Sequence, residues 1–314
     1  MKVCVTVDMD NYPEYRSLVD PAGVDPGLSF YADAAPRFLD LFARRGIRAT
    51  FFVVGRDALR ADQREMLRRI HAAGHELANH SWSHPYNLRR LPREEQVREI
   101  ARCEDAIADA CGERPVGFRS PSGEFDPQVL SILAERGYHY DSSIFPTWFM
   151  WLFMLYGKVF VKHDDYHLGP LANPLAPARP YWPRAQRVYR EQPQAGPRQP
   201  AVLELPYSTS LLGIPFYGTL FRRLGAGAFR AALRWHGDAR PAAHMILHLL
   251  DLVDLSGTPL ERALARAPGL GIPFARRARF MEEAMDALVQ RGPGVPLREL
   301  ARDYRAAAGL EGAR

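Results

Sequence analysis

At 314 residues, 47% hydrophobic and 25% charged, the chain has an ordinary globular composition, which excludes disorder over its whole length and suits one large α/β domain. Its formal charge of +5 comes from arginines spread along the sequence, and no nucleic-acid motif accompanies them, so no nucleic-acid partner is expected. The cysteines, Cys4, Cys103 and Cys111, lack CxxC spacing and so give neither a disulfide framework nor a thiolate zinc site.

In chain order, "KVCVTVD" (2–8) alternates as a β-strand with no signal-peptide core before it, so a cytoplasmic location is expected. A helical pattern over 34–45 ends at Gly46, and "RATFFVV" (48–54) is a second strand. Residues 57–73 read as a helix stopped by Gly74, followed by the short strand "HELA" (75–78). The run from Pro92 to Gly112 has helical spacing with proline at its start and glycine at its end. "PVGFRS", a helix over 126–136 and "YHYDSS" continue the alternation, and "AAHMILH" (242–248) is a late strand. Such alternation predicts a parallel sheet or barrel: one domain over 1–314, a deformed (β/α) barrel of about seven parallel strands.

Two segments break the pattern and form an expected insertion over 144–200. Residues 144–161 are apolar and aromatic, but Pro146, Thr147, Gly157 and Lys158 interrupt them, so they read as core or as a cover over a pocket rather than a membrane span. The alternative is a surface at headgroup depth, with Trp148, Trp151 and Tyr156 of the type found there, followed by the basic "KVFVKH" and by "PFARRARF" (273–280), a solvated basic face with weak attraction for anionic lipid. Residues 170–200 hold eight prolines and read as a long irregular loop.

In a parallel barrel the reactive side chains leave the carboxyl ends of the strands, and Asp8, Asp10, His80, His84, Arg119, Asp141 and His248 all fall just after predicted strands. His80 and His84 in "GHELANHSWSHP" can share a helical face, while Pro85 biases His84 toward an extended backbone. Two imidazoles alone define no site. "TVDMD" adds two carboxylates on one side of a strand, whose mutual repulsion a cation would relieve, with one carboxylate as ligand and the other as base. Taken singly, Arg119 and Asp141 read as a structural ion pair and His248 as a core histidine; together and in order they read as a site.

The set "TVDMD", "HSWSH", "FRSPSG", "DSS" and "ILH" resembles the metal-dependent polysaccharide deacetylases, the family of chitin, peptidoglycan and nodulation-factor deacetylases. The likeness runs from Lys2 to about Leu250 with 144–200 outside it, and it implies hydrolysis of an N-acyl group from an amino sugar. Residue by residue it implies that Asp10, His80 and His84 hold the metal and Asp8 is the general base. It further implies that Arg119 holds that base, His248 is the general acid and Asp141 orients His248. Zn²⁺ suits these ligands, and Co²⁺, Ni²⁺, Mn²⁺ and Fe²⁺ fit them as well.

Two departures narrow the resemblance. Met9 separates the aspartates, as in relatives that include lipid-linked-sugar deformylases and some ring amidases. Ser122 stands where the family usually has an aromatic ring, which weakens the case for a polymer substrate, although the Ser122 N–H is placed to complete an oxyanion hole. Ser122, Trp148 and Trp151 are the expected substrate contacts, and the expected substrate is an N-acylated amino sugar, with a lipid-linked one handled at the inner face of a membrane as one form of it. A ring amidase, an Fe(II) oxygenase and a non-catalytic carbohydrate-binding relative are the alternatives. The βα alternation argues against the oxygenase, and the intact acid, base and triad against the binding protein.

Overall fold

Strand alternation sorts the first strand into two faces. In β1 (Lys2–Asp8), Val3, Val5 and Val7 join the cluster that packs under the surrounding helices, whereas Cys4, Thr6 and Asp8 point to the opposite face, where Cys4 packs with Phe52, Ala78, Tyr140 and Leu203. Burial on both faces is the signature of a parallel sheet wrapped in helices. The computed structural model describes residues 1–16, 28–160, 170–192, 202–236, 240–264 and 271–310.

The other strands are β2 (Thr50–Val53), β3 (Glu76–Asn79), β4 (Gly117–Phe118), β5 (Tyr140–Asp141), β6 (Pro183–Arg184), β7 (Arg187–Glu191), β8 (Leu203–Glu204) and β9 (Ala242–His248). Seven of the nine described strands form one sheet in the order β8-β5-β4-β3-β2-β1-β9, every neighbouring pair parallel. The sheet curls into a half-barrel with β8 and β9 as its edges, as the sequence pattern predicts. Register pairs Asp8 with His248 and Asn79 with Phe118, so the chemistry-bearing residues reach one mouth together.

The interior is filled at close range. A side chain on Gly117 would place its Cβ 2.0 Å from the Tyr140 ring, so only glycine lets that ring lie inside. The opposite mouth is closed by the helix Leu297–Ala307, whose Leu297, Leu300 and Ala301 join the interior cluster. Its first turn is tied down by Leu297 N–H to Thr50 Oγ1 (2.8 Å) and Arg298 N–H to Glu76 Oε2 (2.9 Å).

Three expectations change. The helix over 57–73 is two pieces, a 3₁₀ turn Gly55–Leu59 and the helix Ala61–Ala72, because Arg60 between them is extended. The proline-rich segment is not wholly irregular: β6 and β7 form an antiparallel hairpin, and Tyr181 exchanges backbone hydrogen bonds with Glu204 (3.1 and 2.9 Å), covering the edge that β8 would expose. The apolar segment contains the helix Phe149–Phe160, and among the described residues no helix is long and apolar enough to cross a membrane. The side chain of Tyr156 and residues 161–169 and 193–200 lie outside the described residues.

Candidate active site

The inward positions of the strands run out at Asp8, His80, Arg119 and His248, and these four, with Asp10 and His84, line one cleft of about 610 Å³ at the carboxyl mouth. Asp10 Oδ1 lies 3.5 Å from His80 Nε2 and 3.4 Å from His84 Nε2, and the three ligand atoms sit within 4.8 Å of one another. These separations exceed ordinary hydrogen bonds, and Asp10 Oδ1 is buried with no hydrogen-bond partner among the described residues. The spacing is that of atoms arranged around a common point. His80 Nδ1 bonds the Arg119 carbonyl at 2.7 Å, which puts the ring hydrogen there and leaves Nε2 its lone pair.

The donor set of one carboxylate and two imidazoles therefore fits a divalent cation. Burial pushes the His84 imidazole down to about 4, leaving it neutral at pH 7, the form a metal takes. Burial alone would raise the Asp10 carboxyl, but His84 and His80 outweigh it and hold it well below the ordinary carboxylate range. Burial also opposes charge on His80, yet its contact with Asp10 and the Asp8 charge raise it.

The histidine pair sits on a loop, not a helix. His84 takes a left-handed φ of 56° rather than the extended backbone expected before Pro85, and the rings stand 4.9 Å apart at 70°. The non-glycine residues with positive φ among those described are Ser81, His84 and Ser122, and two of them line the cleft. Left-handed backbone at such residues is a strain that surrounding contacts must hold, and it gathers here around the candidate ligands.

Arg119 is fully buried and anchors Asp8. Its Nη1 donates to Asp8 Oδ1 and to Thr6 Oγ1 (3.0 Å), its Nε to the Ser142 carbonyl (2.9 Å), and its Nη2 to Ser142 Oγ (3.1 Å). The guanidinium is sandwiched by Phe52 at 3.9 Å and Tyr207 at 4.8 Å. His244 Nε2, 3.2 Å from Nη2, must accept because arginine has only donors. Burial and the Arg119 charge push that imidazole well down, in keeping with a neutral ring.

His248 Nε2 stands 3.9 Å from both Asp8 Oδ2 and Asp10 Oδ2. Its ring accepts the Asp251 backbone N–H, and Asp251 Oδ2 accepts the His248 N–H at 2.8 Å. The ring nitrogen on the backbone side, Nδ1, is thus an acceptor, and the hydrogen of the neutral imidazole lies on Nε2, facing the two aspartates. Asp251 Oδ1 in turn accepts from Arg222 Nη1 at 2.6 Å, both side chains buried.

Asp141 does not meet the expectation that it orients His248. On β5, Tyr140 points into the barrel, so Asp141 points out; its oxygens accept from Ser143 Oγ (2.7 Å) and Ser143 N–H (3.0 Å). It lies beside Glu204, its partner in register. Burial raises Asp141 to about 6, and burial with the Asp141 charge pushes Glu204 well up. Asp251→Ala is therefore expected to lower turnover by about 10-fold to 100-fold, the usual cost of removing a group that orients a site residue. Asp141→Asn should cost less; steady-state rates for the two variants decide, and a larger loss in Asp141→Asn would restore the original assignment.

Two of the three expected substrate contacts fall elsewhere. Ser122 lines the cleft, but Trp148 and Trp151 do not. Their indole N–H groups donate outward, to the Leu212 carbonyl (3.0 Å) and the Leu171 carbonyl (3.2 Å), and the same helical segment turns Met150 and Leu152 toward the cleft instead. Aromatic rings reach the cleft from other elements: Tyr15, Tyr86, Phe145, Tyr207 and Tyr217 all line it, and Tyr217 meets His248 edge-on at 5.5 Å.

A half-barrel of seven parallel strands with an Asp-His-His cluster, a buried Arg–Asp pair and a histidine at one mouth defines the class of molecule. Residues 24–140 match the family model for polysaccharide deacetylase. The match takes in His80, His84, Arg119 and Ser122; Asp8, Asp10, Asp141 and His248 lie outside it. Chitin deacetylase 1 of Cryptococcus neoformans is 38% identical over 102 residues, 32% of this chain and 21% of that protein. A chitooligosaccharide deacetylase of Sinorhizobium fredii is 38% identical over 103 residues, 32% of this chain and 46% of that protein. The chain thus spans less than half the length of either curated relative. A polysaccharide deacetylase structure from Mycobacterium smegmatis, 20% identical, superposes with a TM-score of 0.61 over 98% of this chain and 90% of that one, which supports the fold.

Proposed function

We propose that the protein is a hydrolase that uses a divalent metal, Zn²⁺ by ligand type, to remove an N-acetyl or N-formyl group from an amino sugar. The observation that carries this reading is the Asp10 carboxylate oxygen, buried without a hydrogen-bond partner among the described residues, between two imidazole nitrogens at 3.4 and 3.5 Å and beside an arginine-held second carboxylate. A divalent ion held by Asp10, His80 and His84 would supply Lewis acidity toward the acyl oxygen and a lowered pKa for water.

The chain's own groups do the rest. Arg119 occupies Asp8 Oδ1, leaving Oδ2 toward the cleft, where it accepts the proton of the attacking water. His248 presents Nε2 on the same side and orients the departing nitrogen, which must leave as an amine rather than an amide anion. The proton that Asp8 takes from water passes to that nitrogen, because a neutral His248 giving up its single hydrogen would be left as imidazolate. Hydrolysis moves one proton from water to nitrogen, and Asp8 and His248, 3.9 Å apart, span that path. The loop at Ser122 and Gly123 presents backbone to the acyl oxygen.

The finer reading is a lipid-linked N-acyl amino sugar. It is supported by a cleft that Asp8, Asp10, Arg119 and His248 line together with the apolar side chains Phe145, Met150, Leu152, Ile246 and Leu250. The one-residue spacing of Asp8 and Asp10 resembles that of lipid-linked-sugar deformylases, and three free cysteines suit a reducing cytoplasm, with the enzyme at the inner face of the membrane. The test is release of acetate or formate, with an equal amount of free amine, from free, oligomeric and prenyl-linked N-acyl sugars. Release from the prenyl-linked members at rates at least about tenfold above the soluble ones is expected. Release from soluble oligomers alone would remove the lipid, and release from cyclic ureides alone would replace the reaction with ring opening.

A further inference from the structure

The helix Phe149–Phe160 buries Met150, and its Trp151, Leu152 and Leu155, with Trp148 in the turn just before it, are between 43% and 61% exposed. Beside it stand Leu211 and Leu212, 71% and 59% exposed. Hydrogen bonds join these segments into one ridge: Trp148 Nε1 to the Leu212 carbonyl, Thr147 Oγ1 to the Gly213 carbonyl (2.6 Å), and Leu211 N–H to the Trp235 carbonyl (2.9 Å). Gly213, at φ 74°, permits the approach; a Cβ there would lie 2.8 Å from the Trp148 ring. Single exposed leucines are ordinary, but a ridge of six large apolar side chains is a contact surface.

Charge says what it contacts. No Asp or Glu occurs over 142–160 or over 205–236. Arg230 and Arg234, one turn apart on the helix Ala226–Arg234 that leads into Trp235, are exposed and make no ion pair among the described residues. A symmetric pairing of two copies through this face would set these arginines against their like. An anionic lipid surface satisfies both features at once, with apolar side chains entering the acyl boundary and guanidinium groups on the headgroup phosphates. Both indole N–H groups are already bonded to backbone carbonyls, so seating the ridge in lipid strands neither donor.

We propose that the ridge of Trp148, Trp151, Leu152, Leu155, Leu211 and Leu212, flanked by Arg230 and Arg234, docks on the surface of an anionic bilayer. Leu152 belongs both to the ridge and to the cleft lining, so the docked protein opens its cleft at the lipid boundary. This deepens the proposed handling of a lipid-linked sugar by naming the surface that reaches it, but the binding itself is read without turnover.

The test is co-sedimentation of the full chain with phosphatidylcholine vesicles, with and without about one third phosphatidylglycerol, at low and high salt. The wild type is expected to bind the anionic vesicles and to weaken as salt rises. Leu155→Ser combined with Leu211→Ser, and separately Arg230→Ser combined with Arg234→Ser, should each weaken binding at least about tenfold. None of these residues lines the cleft, so release of acyl acid from a soluble N-acyl sugar should stay at the wild-type level and report correct folding. A wild-type chain that ignores anionic vesicles, or variants that bind as well as the wild type, would overturn the proposal. Loss of acyl release from every sugar with vesicle binding intact would instead sink the proposed reaction and leave the surface standing.

Discussion

Asp10→Ala should leave a folded protein that holds no stoichiometric metal and turns over at least about 100-fold more slowly than the parent, since removing even an outer partner of a ligand costs 10-fold to 100-fold. The carboxylate supplies the charge among the three ligand atoms and stands at similar distance from both imidazoles, so no neighbour replaces it. His80→Ala should act alike, because His80 is oriented by the Arg119 carbonyl and no second imidazole occupies its place. Metal analysis after dialysis, read beside the rate, checks both. A full metal complement in Asp10→Ala would move the site elsewhere.

Asp8→Asn is expected to separate the role of Asp8 from that of Asp10. The amide oxygen can still accept from Arg119, so the buried guanidinium keeps its partner and the fold survives; removing the side chain altogether would strand a buried charge at a cost of about 3–5 kcal/mol. The metal should remain, since Asp8 is not among the three clustered ligand atoms. What disappears is the proton acceptor, and kcat should fall by about 100-fold to 10,000-fold with KM little changed. Metal loss in Asp8→Asn would identify Asp8 as a ligand; unchanged kcat would remove it as the base.

How far the sequence carried depended on whether a residue's placement follows from strand parity. "KVCVTVD" and "AAHMILH" are long enough to declare their faces, and Asp8 and His248 emerged side by side in register. The strand "YHYDSS" shrinks to Tyr140–Asp141, too short to show by pattern which residue is inward; with Tyr140 inside, Asp141 faces out and pairs with Ser143 and Glu204. The support of His248 by Asp251 and Arg222 was missed because it comes from a 3₁₀ turn and a seven-residue helix with little periodic signal. His244 was legible: it shares parity with Ile246 and His248, which places it inside the barrel beneath the mouth. In the apolar segment, composition marked an unusual surface, but direction required the turn at Thr147 that sends Trp148 and Trp151 outward and Met150 inward.

The most direct test is to strip the protein with a chelator, return Zn²⁺ in measured amounts, and record acyl-acid release from an N-acyl amino sugar against metal bound per chain. A rate near zero without metal, rising linearly and levelling at one equivalent in the wild type and staying flat in Asp10→Ala, is the predicted result. Full activity in the stripped protein, or a rate indifferent to the metal it has regained, would contradict a reaction centred on Asp10, His80 and His84.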